Sequence, residues 1–229
     1  MVIYEGPSMI NGEPIVGIIT GLATKSTNRK TGPMAHLWIL AANEEPHVAL
    51  KSGADEAVCG DCPARGKWCY VLTFQGPLSI YRTWKRGDYG KFNEELLVGR
   101  ALRLGAYGDP AALPYEVIER ITRRVDRYTG FTHTWRYCDP RYKHYCMASC
   151  DSREDAVAAI RAGWRTFRVS KDASDRPVER EITCPSSDEA GTKRKITCFE
   201  CGACDGHRRP TVKSNIVIKA HGSRSKQFL

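Results

Sequence analysis

Residues 100–110 read Arg100-Ala-Leu-Arg-Leu104-Gly105-Ala-Tyr-Gly108-Asp109-Pro110, and this stretch decides the fold. Its mostly apolar start predicts a strand over 100–104, and the two glycines with Asp-Pro predict a turn into a helix. Leu113, Val117, Ile118, Ile121 and Val125 follow at three- and four-residue spacing. That spacing predicts an amphipathic helix, with Gly130 as its stop. Phe131-Thr-His-Thr-Trp135 then alternates as a strand does. Further along come a strand at Tyr145–Ser149, an Asp151-Ser152 cap, a helix over Glu154–Ala162 stopped by Gly163, and a strand at Thr166–Ser170. Strands and helices joined by short links are the mark of βαβ units and a parallel sheet. The expected fold is α/β: an open or partial (β/α) barrel with mostly parallel strands and Cys-rich metal-binding segments.

Upstream, Val16–Thr20 and His36–Leu40 read as strands joined by a basic turn. Residues Asn43–Asp55 read as polar and irregular, Tyr70–Phe74 as a short apolar run, and Pro77–Lys85 as helical. We expect a single domain over 1–229: N-terminal strands and loop in 1–58, a βα core in 59–183, and a C-terminal Cys-rich segment in 184–229. At 229 residues the chain buries a sizeable core without disulfides. No apolar run reaches the roughly 18 residues of a membrane span, and the start shows no secretory pattern. The expected location is the cytoplasm, where paired thiols mean metal or redox chemistry.

Seven of the ten cysteines form two ordered groups. The first is Cys59-Gly-Asp-Cys62 with Cys69 beyond it. The second is Cys184, followed by proline, and Cys198-Phe-Glu-Cys201-Gly-Ala-Cys204. The later four suit an iron–sulfur cluster, since the Cys-x2-Cys-x2-Cys element presents three sulfurs to one cubane; structural zinc is the alternative. The earlier three suit a four-iron cluster with one iron left open, or a zinc site completed by His47 or Asp61. Cys69 also reads as a plain core residue, and Cys138, Cys146 and Cys150 read as core cysteines.

The formal charge of +9 invites a nucleic-acid reading. Seven thiolate ligands would reduce it to +2, however, and the basic residues are scattered along the chain. Among other residues, Gly105 and Gly108 let backbone approach a ligand, and Asp109 either holds a ligand group or caps the following helix. His133 reads as proton carrier, ligand or core histidine. Ser170 and Lys171 follow a later strand, where Lys171 suits a carboxylate or phosphate.

The order of these elements resembles a group of uncharacterised phage- and plasmid-encoded proteins that look like shortened, divergent relatives of radical S-adenosylmethionine enzymes. The likeness runs from about Cys59 to Cys204. It implies that Cys59, Cys62 and Cys69 hold a four-iron four-sulfur (4Fe-4S) cluster whose open iron takes S-adenosylmethionine. By the same likeness Gly108 and Asp109 meet the methionyl amino group. Asp109 is the expected catalytic residue, and the residue pattern itself adds Gly105, Ser170 and Lys171 to the expected cofactor site. Cys184, Cys198, Cys201 and Cys204 resemble an auxiliary-cluster motif. The spacing departs from that family's, being two then six residues where three then two is usual. The resemblance implies an enzyme acting on a small molecule, nucleotide or nucleic acid in the host cytoplasm, without a membrane. A zinc-stabilised nucleic-acid-binding protein without catalysis is the alternative.

Overall fold

The computed structural model describes residues 1–174, 176, 178–191 and 196–228. Its centre is a nine-stranded open sheet of a mixed α/β fold. The strands are β1 (Val2–Pro7), β2 (Pro14–Thr20), β3 (Ala35–Ala41), β4 (Ala101–Tyr107), β5 (Arg127–Thr132), β6 (Met147–Cys150), β7 (Thr166–Ser170), β8 (Glu181–Thr183) and β9 (Asn215–Lys219). They lie in the order β1-β2-β3-β4-β5-β6-β7-β9-β8. The β1–β2 and β2–β3 pairs are antiparallel, and every later pair is parallel. The carboxyl ends of β3 to β9 therefore share one edge.

The helices are α1 (Pro46–Ser52), α2 (Glu56–Cys59), α3 (Gly76–Lys85), α4 (Tyr115–Thr122), α5 (Arg153–Arg161) and α6 (Cys198–Cys201). Val117, Ile118 and Ile121 of α4 are buried, each contributing roughly 1.5–3 kcal/mol by removal from water. They belong to a large core that also takes in Ile15, Ile18, Leu37, Leu102 and Leu104. A smaller apolar cluster of Met147, Cys184, Ile216 and Ile218, with Phe131, Phe167 and Cys204 against it, lies beneath the second cysteine group. Buried Arg168 on β7 reaches past β9 to Glu181 on β8 through paired bonds of 2.9 and 2.7 Å, a geometry that offsets the desolvation of both charges.

Several local expectations need correction. Residues 43–55 are not irregular: α1 begins at Pro46, which suits a first helical position, and ends at Gly53, whose φ of 92° is left-handed. Helix α4 stops at Thr122, and Gly130 lies inside β5 rather than at a helix end. A Cβ at Gly130 would stand 2.8 Å from both Cys146 Sγ and the Tyr145 carbonyl, so close packing explains the glycine. His133 and Trp135 follow β5 instead of lying on it. Strands β1, β8 and β9 carry no expectation from the sequence, and β9 matters most because it inserts between β7 and β8.

The two glycines of the opening stretch shape the sheet. The β3–β4 register shifts between His36↔Arg103 and Trp38↔Tyr107, so β4 carries extra residues in a bulge around Gly105. Gly108 has φ 82°, and a Cβ there would meet the Ile39 carbonyl at 2.6 Å. Gly108→Ala is expected to lower stability by about 2–4 kcal/mol and Tm by roughly 5–15 °C, from left-handed strain plus backbone clash. Gly90→Ala, which meets open space, is expected to stay within about 0.5 kcal/mol of the parent. Urea and thermal denaturation of both variants measure the difference.

Candidate functional site

The first cysteine group lies at the carboxyl ends of the parallel strands. Asp109, just after β4, donates its backbone N–H to the Val58 carbonyl at 2.6 Å, which draws the end of α2 and Cys59 onto that edge. The loop beyond Cys59 is held tightly. Arg65 donates to the Gly60 carbonyl at 2.7 Å and stands 3.1 Å from the buried Asp55 carboxylate. A Cβ at Gly60 would lie 2.8 Å from the Tyr137 hydroxyl, so the Cys59–Cys62 turn is pressed against the segment after β5. The three thiols are neighbours: burial, then Cys62, Asp55, Cys69 and Asp109, push the Cys59 thiol far above its ordinary value. Burial does most to raise Cys69 as well.

Asp109 is buried, and both its oxygens are engaged. Oδ1 accepts the Ala111 N–H at 2.9 Å; Oδ2 accepts the Thr132 hydroxyl at 3.0 Å and the His133 N–H at 2.8 Å. It therefore caps the turn after β4, as one of its two sequence readings held, and also ties β4 to β5. Burial raises its pKa, against the opposing pull of those donors. The space over Gly105 and Gly108 is filled by this chain's own atoms, since a Cβ on Gly105 would meet the Gly108 carbonyl at 2.5 Å.

His133, placed by Asp109, brings its ring against Cys62. Its Nε2 is sealed from solvent, 3.3 Å from Asp151 Oδ2 at the carboxyl end of β6 but out of hydrogen-bonding alignment. Burial disfavours the charged ring, yet Asp151 and Cys62 hold its pKa well above the ordinary value. Of the two residues offered as completing ligands, His47 lies on α1, 3.7 Å from Glu45, and Asp61 lies within the Cys59–Cys62 turn, where it accepts the Tyr137 hydroxyl at 2.8 Å. Tyr107, at the end of β4, buries its hydroxyl without a hydrogen-bond partner, and burial, then the charges of Cys59, Asp55 and Cys69, hold its pKa far above the ordinary value, an environment no sequence pattern announces.

The second group gathers over the sheet. Thr197 and Glu200 form a capping box that starts α6 at Cys198. The Cys198 and Phe199 N–H groups bond to the Lys30 and Thr31 carbonyls at 2.9 and 3.1 Å, and the Cys204 carbonyl accepts from Gly130 at 3.0 Å. Cys184 arrives from the end of β8 and bonds Val217 on β9. The Cys204 thiol is raised far above its ordinary value by burial, then by Cys184, Cys198 and Cys201; Cys184 is pushed up to about 11. Buried Arg165 braces the segment by donating to the Ala203 carbonyl at 2.7 Å and the Gly206 carbonyl at 2.6 Å.

Arg103 on β4 connects the two groups. It donates to the Tyr70 hydroxyl at 2.7 Å, next to Cys69, and its charge is felt at Cys198 and Cys204. The C-terminal tail covers this link: His221 stacks on Tyr70 at 5.7 Å, and Phe228 meets Trp68 edge-on at 4.7 Å. Ser170 and Lys171 stand at the carboxyl end of β7. Ser170 Oγ accepts the Asp172 N–H at 3.2 Å, and Lys171 is exposed. Cys146 and Cys150 are buried core cysteines as expected.

Among the described residues, no three His, Cys, Asp or Glu side chains stand at the spacing of ligands to one ion. The thiols are gathered without being closed around a point. The donor set nonetheless suits a soft metal. Burial, then mutual repulsion, raise the pKa of the Cys59, Cys69, Cys184, Cys201 and Cys204 thiols, whereas a bound cation deprotonates coordinating thiols outright. Compared with family models, curated proteins and solved structures, the chain matches none. No helix among the described residues is long and apolar enough to cross a membrane.

His36, beside Arg103, gives the site a measurable pH signature. Burial, then the Arg103 charge, push its pKa from 6.5 down to about 4. The unfolded chain therefore takes up a proton between about pH 6.5 and 4 that the folded chain refuses. This contribution is complete above pH 6.5 and disappears as pH falls through about 4. It amounts to about 2 kcal/mol after allowance for partial exposure. His36→Gln is expected to flatten the loss of stability between those two pH values, read by urea denaturation at each.

Proposed function

We propose that the chain is an iron–sulfur protein and a divergent radical S-adenosylmethionine-type enzyme, working in the cytoplasm. It belongs, on this reading, with shortened proteins of the kind phages and plasmids encode. The observation that carries the reading is the separation of the seven thiols into two sets. Cys59, Cys62 and Cys69 gather beside Asp109 at the carboxyl ends of β4 and β5, and Cys184, Cys198, Cys201 and Cys204 gather over the sheet. Parallel strands laid side by side nearly in chain order favour an open (β/α) barrel, in which that edge is where chemistry resides.

On this reading the first three cysteines would hold a 4Fe-4S cluster and the later four an auxiliary one. When bound there, such a cluster would supply one-electron reducing chemistry. The chain's own residues position the components. Asp109 fixes the backbone of Ala111 and His133, so it acts as a positioning residue, and the Gly105–Gly108 turn contributes shape. Arg103 and Tyr70 bridge the two sets with a cation and a hydroxyl. Buried Phe228 packs edge-on against half-buried Trp68, next to Cys69. The exposed Lys171 stands on the edge along which an anionic substrate group, such as a nucleotide phosphate, would approach.

Protein purified without oxygen is expected to be brown, with iron and sulfide in near-equal amounts. Cys59→Ser and Cys201→Ser are each expected to remove about half the iron. S-adenosylmethionine binding, followed by equilibrium dialysis, is expected to vanish in Cys62→Ser and to survive in Cys201→Ser. Colourless anaerobic protein containing only zinc would reject the reading in favour of a structural zinc protein.

A further inference from the structure

A groove of about 320 Å³ opens at the amino ends of β7, β8 and β9, the edge of the sheet opposite Asp109 and the first cysteine group. Arg165, Arg180 and Lys213 each stand just before one of those three strands, so the parallel pairing brings three cations from separate parts of the chain to one mouth. Arg209, from the loop that leads into β9, adds a fourth, and Glu179 is the one carboxylate on the lining.

Two of these cations are held in place by the fold. Arg180 has φ 55°, the single non-glycine residue in the left-handed region among the described residues. Backbone of that kind costs about 1–3 kcal/mol and persists only where its surroundings impose it. Here β9 imposes it: the Asn215 N–H donates to the Arg180 carbonyl at 2.9 Å, and Asn215 Nδ2 donates to the Glu179 carbonyl at 2.8 Å. The Arg180 side chain stays exposed, with Nε 3.3 Å from the Glu179 carboxylate. Arg209 is anchored through Nε to the buried Asp205 carboxylate at 2.6 Å, which Arg165 also meets at 3.1 Å, yet its side chain remains half exposed.

The positive surface continues past the groove. His207 donates from Nε2 to the Gly163 carbonyl at 2.9 Å and from its backbone to the Lys143 carbonyl at 3.0 Å. His144 meets the His207 ring at 6.4 Å, and Arg208 lies over Tyr128 at 5.1 Å. The run from His207 to Lys213 contains no acidic residue. A site for a small phosphate ester buries most of its one ligand, whereas cations that line an open groove and run on beyond it match a chain of phosphates. We propose that this groove, with the basic strip beside it, binds the phosphate backbone of a nucleic acid, and that Arg180, Arg209 and Lys213 contact the phosphates. Such contacts fix position without reading bases, so binding is indifferent to sequence. The groove is separate from the edge that carries the first three cysteines, and its role does not depend on what the thiols hold.

Fluorescence anisotropy tests this, with the full chain purified without oxygen and a labelled single strand of about 20 nucleotides. Wild type is expected to bind this strand and a scrambled one equally, with log affinity falling linearly in log salt. Lys213→Ala and Arg180→Gly are each expected to weaken binding roughly 5-fold near 0.1 M salt and to lower that slope by about 0.7. Glycine suits the left-handed backbone at 180, so Arg180→Gly is expected to keep or raise the thermal midpoint, and its weaker binding then reports the lost cation rather than misfolding. Lys51→Ala, exposed on α1, is expected to bind as wild type does. The proposal is overturned by absence of binding at low salt, by Lys213→Ala and Arg180→Gly matching wild type, or by an equal loss in Lys51→Ala, which would mean diffuse charge. Displacement of the strand by a nucleoside triphosphate at equal phosphate concentration would also overturn it, assigning the groove to a small phosphate ligand.

Discussion

A buried carboxylate holds the working edge of this molecule together. Asp109 accepts from Ala111 beyond β4 and from Thr132 and His133 at the end of β5, while its own N–H reaches Val58 beside the first cysteine. Three chain segments, around residues 58, 110 and 133, meet at this one residue. Hydrogen bonds to a charged group contribute about 1.5–3 kcal/mol each, and here they oppose, without outweighing, the burial that raises its pKa. Without that carboxylate the His133 and Ala111 N–H groups would lose their acceptor, and the imidazole would have no fixed base.

The sequence made the parallel core legible because its signals are local. Ile118 and Ile121 mark a helix by spacing, Gly163 marks a helix end, and Thr166–Ser170 marks a strand that the structure reproduces residue for residue. What stayed hidden depends on distant contacts. Gly130 looks like a helix stop until Cys146 is seen packed against it, and Gly108 looks like a ligand cradle until Ile39 fills the space. The cysteine groups were visible by spacing, but not which imidazole meets them: His47 is nearer in sequence, while His133 arrives through strand order. Arg103 resembles any strand arginine until its guanidinium is found between Tyr70 and the second group.

The positive charge also gains a different meaning. Arg65, Arg103, Arg127 and Arg165 donate to carbonyls or hydroxyls around the two cysteine groups. Arg168 is paired with Glu181 in the interior. A guanidinium presents several donors and stays charged when partly buried, so one side chain can brace more than one group of the surrounding chain. These five arginines are thus engaged within the fold.

Strand β9 has a consequence for how the molecule comes into being. It lies between β7 and β8 rather than at an edge, and it carries Ile216 and Ile218 into the apolar floor under the second cysteine group. Cys184 bonds Val217 on that strand. The chain must therefore be made as far as β9 before β8 has a partner or the last four cysteines have their full apolar floor. A product cut short before residue 215 would lose both while keeping β3 to β7, whose edge carries the earlier cysteines.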